Sequence, residues 1–186
     1  MQDKTVVCHC GTGFSRRRTL AGLACVAVDA AFGPASAKAV LSPSRAEDEG
    51  FMRLALAEAA KGDFPFGAVI VRDGKVAATG RNMGIRTNDP TAHGEVVAIR
   101  NFCASHPAGE LKGATLYTTG EPCPMCMGAI LWSGFARMVY AASIEQLSTK
   151  IGQIMTPSRT LAEAAPFETI DITGGVLAAE ALALFK

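Results

Sequence analysis

The chain has 186 residues, 49% of them apolar and 19% charged, and a formal net charge of +1. That length is one domain, or one domain with a short extension, and it buries enough core to need no disulfide staple. The composition excludes a disordered chain and a charge-laced coiled coil, and the near-neutral charge excludes binding to nucleic acid or anionic lipid by bulk electrostatics, though not through a local basic patch.

Residues 1–40 read differently from the rest. They carry Ser15-Arg16-Arg17-Arg18-Thr19-Leu20, an apolar run from Leu20 to Val28, and an alanine-rich stretch ending Ala35-Ser36-Ala37-Lys38-Ala39. Positive, apolar and small-residue regions in that order describe an export signal of twin-arginine type, with an Ala-x-Ala site at Ala35–Ala37 or Ala37–Ala39. Asp29, just after the apolar run, is out of character for such a signal, and an extension left in place is the alternative. The run is too short to span a bilayer, so no membrane anchor is expected. Gly22, three residues before Cys25, argues against a lipid-anchored form. A working leader makes the protein periplasmic; without one it is cytoplasmic. Cys8, Cys10 and Cys25 also fall in this stretch, and Cys8-His9-Cys10 lacks a partner pair for a metal site. Residues 41–186 are left with 13 Lys or Arg and 15 Asp or Glu, a net charge of −2. They make no electrostatic case for a polyanionic partner.

The spacing in residues 41–186 predicts alternating helices and strands. Ser44 to Gly62 reads as a helix with a capping box from Ser44 and Glu47. Pro65 to Val71 is a dense apolar strand, Asp73-Gly74 a hairpin turn, and Lys75 to Gly80 the return strand. Asn82 to Pro90 is a loop and Thr91 to Ala104 a helix, with Cys103 a core cysteine near its end and His106 a solvated histidine beyond it. Thr115 to Thr119 is a strand, Cys123 to Trp132 a compact helix, and Arg137 to Ala142 another strand. Residues 143–166 read as loop with one short helix near Leu161. Glu168 to Thr173 is a last strand and Gly175 to Phe185 a closing helix. The pattern predicts a three-layer α/β/α domain around a mixed five-stranded sheet.

One constellation carries chemistry. His93-Gly94-Glu95 precedes Pro122-Cys123-Pro124-Met125-Cys126 by some thirty residues, the H-x-E…P-C-x-x-C pattern of zinc deaminases. Two thiolates and one imidazole leave the fourth tetrahedral position for water, as a catalytic site requires. Cysteines three apart in a first helical turn point to one side, and the helix N-terminus lowers their pKa. Glu95 can then move protons between water, ring nitrogen and leaving ammonia. A redox Cys-x-x-Cys pair leaves His93-x-Glu95 unexplained, and a purely structural zinc site lacks an evident fourth ligand. Glu121 reads as charge support for the helix start.

With those residues in view, the chain resembles the cytidine/deoxycytidylate-type zinc deaminase superfamily, in the branch of guanine deaminases and tRNA adenosine deaminases. The resemblance runs from about Ala46 to Phe185. It includes Pro65-Phe66-Gly67-Ala68-Val69-Ile70-Val71, Gly80-Arg81-Asn82, Asn88-Asp89-Pro90-Thr91-Ala92-His93-Gly94-Glu95 and Gly120-Glu121-Pro122-Cys123-Pro124-Met125-Cys126-Met127-Gly128-Ala129-Ile130. It implies one zinc per subunit held by His93, Cys123 and Cys126, with Glu95 as proton shuttle. It further implies that Asn82 hydrogen-bonds the substrate ring, that Phe66 and the Ala68 backbone lie beside it, and that the protein is a homodimer. Gly94 departs from the alanine usual there, costs up to about 1 kcal/mol in a helical turn, and would widen the space beside His93.

Trp132 resembles guanine deaminases, where tRNA deaminases tend to have histidine. Ser143-Ile144-Glu145-Gln146-Leu147 departs from the Lys-Thr-Gly-Ala-like stretch of the tRNA branch. Ile170-Asp171-Ile172-Thr173-Gly174-Gly175-Val176-Leu177, by contrast, looks like a tRNA deaminase C-terminus, and the longer guanine deaminase tail is absent. Trp132 joins Phe66, Ala68 and Asn82 as an expected substrate contact. The expected reaction is hydrolytic deamination of a free base or small aminated ring, foremost guanine to xanthine; adenosine-to-inosine editing of tRNA is the alternative.

Overall fold

A computed structural model describes residues 39–185, so the leader features, including Cys8, His9, Cys10, Cys25 and the arginine group, lie outside the described residues. The sheet has six strands: β1 (Ala39–Leu41), β2 (Gly67–Arg72), β3 (Lys75–Arg81), β4 (Thr115–Gly120), β5 (Arg137–Ala142) and β6 (Ile170–Thr173), in the order β1-β6-β5-β4-β2-β3. The pairs β1–β6, β5–β6 and β4–β5 are parallel, whereas β2 is antiparallel to both β3 and β4. The expected five strands thus become six. β1 is only three residues long, too short to show a periodicity, and it straddles position 40, where the composition changes.

The other strands follow the sequence reading closely, and β5 matches it to the residue. Asp73 and Gly74 join β2 to β3 with φ of 50° and 70°, the left-handed pair that a two-residue hairpin turn requires.

Helices α1 (Asp48–Ala59) and α6 (Ala178–Leu182) lie on one face, and α2 (Gly94–Cys103), α3 (Pro124–Ser133) and α5 (Ser158–Ala164) on the other. The alternation along β4 divides its side chains between them. Leu116 joins Phe102, Met127 and Ile130 on the α2–α3 side, while Tyr117 joins Met52, Ala55 and Val139 on the α1 side. Two glycines let the helices approach closely. A Cβ on Gly67 would lie 2.3 Å from the Ala55 carbonyl in α1, and one on Gly80 would lie 2.3 Å from the Ala98 nitrogen in α2.

Three local expectations are corrected. The first helix starts at Asp48 with no side-chain bond from its N-cap residue, so no Ser44–Glu47 capping box forms. Asp48 instead reaches back to the Arg45 amide at 2.7 Å, and its position is fixed by Arg137, 89 residues away. Residues 143–166 hold two short helices, α4 (Ile144–Ser148) and α5, rather than one. Cys103 is exposed rather than in the core; it follows the fully buried Phe102, and one helical step turns it outward. His106 is exposed as expected, its ring stacked on Phe102. Among the described residues no helix is long and apolar enough to cross a membrane.

Candidate metal centre and active site

Two helix starts and one strand end converge. His93 is the N-cap of α2 and Cys123 the N-cap of α3, both with extended backbone, so their side chains leave the helix ends instead of the helix sides. Pro124 opens α3, where a missing N–H costs nothing. Cys126 completes the first turn and is fully buried. His93 Nδ1 lies 3.7 Å from Cys123 Sγ and 3.6 Å from Cys126 Sγ, and the three donor atoms all lie within 4.8 Å of one another.

These spacings fit zinc. Tetrahedral geometry with Zn–S near 2.3 Å and Zn–N near 2.0–2.1 Å places sulfur and nitrogen donors about 3.6 Å apart and two sulfurs about 3.8 Å apart. The donor set, two thiols and an imidazole, is also the one zinc favours. The cluster stabilises a thiolate: hydrogen bonding with Cys126 and His93 draws the Cys123 thiol well below its usual range, while the same pairing and burial push Cys126 up. His93 is raised by its hydrogen bond to Cys123, against the effect of burial.

Glu95 sits in the first turn of α2 with only 4% of its surface exposed. Burial raises its pKa above the usual carboxylate range, and Cys123 adds to the rise. A carboxyl moved toward neutrality suits a group that must both take and give a proton. Thr118, in the middle of β4, holds one of its oxygens at 3.2 Å. Nothing in the sequence marks this threonine, since a β-branched residue in a strand reads as ordinary strand propensity.

Asn82 is 5% exposed. Its Oδ1 accepts from the Gly84 amide at 3.2 Å, and its amide nitrogen has no partner among the described residues, which leaves a donor available for a ring acceptor. Ala68 is fully buried in β2, opposite Thr118 in register. Phe66 is half-buried, and its ring meets Phe185 edge-on at 5.3 Å. Phe185 also lines a cavity of about 280 Å³ with Phe64, Pro65, Lys150, Ile151 and Leu184. Gly94 does not widen the site: a Cβ there would meet the Phe66 carbonyl oxygen at 3.0 Å and Gly67 Cα at 3.2 Å, so the space belongs to the β2 backbone.

Trp132 is not brought to this cluster within the chain. It is 79% exposed and packs on Phe167. It lies at the far end of α3 from Cys123, nine residues or roughly 13 Å along the axis. There it lines a separate groove of about 800 Å³ with Ile99, Cys103, Leu131 and Phe135. Glu121 also has a different task from the expected one. Its buried carboxylate accepts from the Ile144 amide at 2.9 Å and from the Ser158 amide and hydroxyl at 2.9 and 2.8 Å, serving the starts of α4 and α5 and not α3.

Residues 45–142 match the family model for the cytidine and deoxycytidylate deaminase zinc-binding region. A guanine deaminase from Bacillus subtilis is 54% identical over 78 residues, which are 42% of this chain and 50% of that protein. The chain therefore aligns with about half the length of that relative. A tRNA-specific adenosine deaminase from Haemophilus influenzae is 41% identical over 138 residues, 72% of this chain and 78% of that protein. The solved structure of a guanine deaminase from Nitrosomonas europaea is 25% identical and superposes with a TM-score of 0.62, covering 81% of this chain and 87% of that one.

Proposed function

Because the chain belongs to the cytidine and deoxycytidylate deaminase zinc-binding family, we propose that it is a zinc-dependent hydrolase that removes the exocyclic amino group from a free purine-like base, with guanine foremost. The observation that carries this reading is the buried Glu95 carboxyl beside three donors at zinc-ligand spacing. His93, Cys123 and Cys126 would hold the metal. Bound zinc would supply the Lewis acidity that makes water a nucleophile at neutral pH.

The chain's own residues do the rest. Glu95 takes a proton from the attacking water and passes it to the ring nitrogen beside the reacting carbon. It then carries the second proton to the amino group as the C–N bond breaks and ammonia leaves. The new C–O bond becomes the carbonyl of the product. Asn82 donates its free amide N–H to the ring edge, and Phe66 covers one face of the ring. Burial of Glu95 keeps these transfers within the site.

A free ring is favoured over a polynucleotide by the −2 charge of residues 41–186. Nucleic-acid binders draw most of their affinity from phosphate contacts. A second reading, adenosine-to-inosine deamination in tRNA, rests on the 41% identity to the Haemophilus influenzae enzyme over most of the chain. Ammonia release by the zinc-loaded protein, measured across guanine, adenine, cytosine, a pterin and their nucleosides, tests the first reading. Inosine formation in an anticodon stem-loop tests the second. Turnover of guanine supports the proposal; inosine formation with every small ring inert overturns it.

A further inference from the structure

We propose that Thr118 is a positioning residue for the proton shuttle, fixing the Glu95 carboxylate against the strand that leads into the thiol-bearing helix α3. This rests on the deaminase reading and adds a residue to its machinery. Thr118 is 1% exposed. As a strand former alone, valine would serve as well and would bury no hydroxyl, since a buried hydroxyl is costly unless bonded. The Thr118 hydroxyl has one partner among the described residues, Glu95 Oε1 at 3.2 Å. The adjacent Thr119 is spent differently, accepting from the Gly67 amide at 3.1 Å and donating to the Pro65 carbonyl.

The anchor is rigid for two reasons. β-Branching restricts the Thr118 rotamer. The residue is also held on both sides, paired with Ala68 in β2 and with Tyr140 in β5. Glu95, by contrast, has a long side chain with considerable rotamer freedom to lose, and it stands on α2, a different element from the cysteines. From Thr118 the chain leaves β4 at Gly120 and reaches Cys123 in five residues. The hydroxyl therefore refers the carboxylate to the thiols through one short piece of backbone. With Oε1 held by Thr118, the other oxygen is left to handle protons.

Steady-state kinetics of Thr118→Val, Thr118→Ser and Thr118→Ala, with the zinc content of each, test this. T118V should lower kcat about 10- to 100-fold, the value of a hydrogen bond to a charged group, and leave KM within about twofold. T118S should recover most of the loss and T118A should not, with one zinc per chain throughout. The proposal is overturned if T118V keeps kcat within about twofold of the unmodified protein, if T118S fails to recover, or if the loss tracks zinc content. Should T118V not fold, the contrast between Ser and Ala carries the same decision. An unmodified protein inert on every ring and on the anticodon stem-loop overturns the deaminase reading and this inference with it, whereas an active one indifferent to T118V overturns only the inference.

Discussion

Two buried polar clusters lie on opposite faces of the sheet and differ in how far their bonding is satisfied. On the α1 face, Asp48 Oδ1 accepts from Arg137 Nη1 at 2.6 Å and the Tyr117 hydroxyl at 3.0 Å. Its Oδ2 accepts from Arg137 Nη2 and the Arg45 amide, each at 2.7 Å, and Arg137 Nη2 also donates to Thr173 at 2.8 Å. Only Arg137 Nε goes without a partner in this group among the described residues. On the α2–α3 face, His93, Cys123 and Cys126 stand at 3.6 and 3.7 Å, a spacing suited to a shared ion, and Glu95 has a hydrogen bond to Thr118 on one oxygen. The first cluster is closed on itself and holds the fold. The second points its unspent valence at one place and is built for chemistry. Burial alone does not separate the two; the count of satisfied atoms does.

Substitutions in each cluster should separate the two roles. The largest effect belongs to the second cluster. Glu95→Gln keeps size and removes the exchangeable carboxyl, so turnover should fall by about 10²–10⁴-fold, the usual worth of general acid–base catalysis. Zinc content and the urea midpoint should hold. Unchanged turnover in E95Q would remove Glu95 from the mechanism.

The first cluster should respond the other way. Asp48→Asn leaves the Arg137 charge buried and unpaired, which costs about 3–5 kcal/mol. Urea unfolding should register that loss, while kcat of the folded fraction stays near that of the unmodified protein. A D48N protein as stable as its parent would mean that the ion pair contributes nothing.

The smallest effect is a dependence on acid. Burial by itself raises the Asp48 pKa, but hydrogen bonds from Arg137, Arg45 and Tyr117 together bring its carboxyl below the ordinary value of 3.8. A folded-state pKa below the unfolded one gives stability that is present above the unfolded value and lost as pH falls through the folded value. The urea midpoint of the unmodified protein should therefore decline below about pH 4 more steeply than that of D48N. Parallel declines would remove Asp48 from the acid response.

The clustering of His93, Cys123 and Cys126 was legible because the spacing within each half is local: a turn of helix fixes Cys123 against Cys126, and a helix start fixes His93 against Glu95. Strands were legible where an apolar run ended in a strong turn former, as β2 does at Asp73-Gly74. What escaped depends on distant partners. Asp48 displaced the Ser44–Glu47 cap because Arg137 holds it from across the chain. Thr118 reads as a strand residue until α2 is laid against β4. Trp132 lies on the same helix as Cys126 but at its other end, a distance that sequence spacing along one helix already implies. β1 is too short to announce itself, and only its pairing with Ile170–Ile172 makes it a strand.

The Glu121 carboxylate has a consequence for how this protein tolerates change. It grips the first residues of α4 and α5 at once, so Ile144 and Ser158 are both tied to the residue two before Cys123. Residues 145–157, the rest of α4 included, therefore form a span held at each side by one side chain. Residues 152–156 lie inside that span and clear of Lys150 and Ile151, which line the cavity with Phe185, so this shorter stretch is the natural place to graft a new recognition segment.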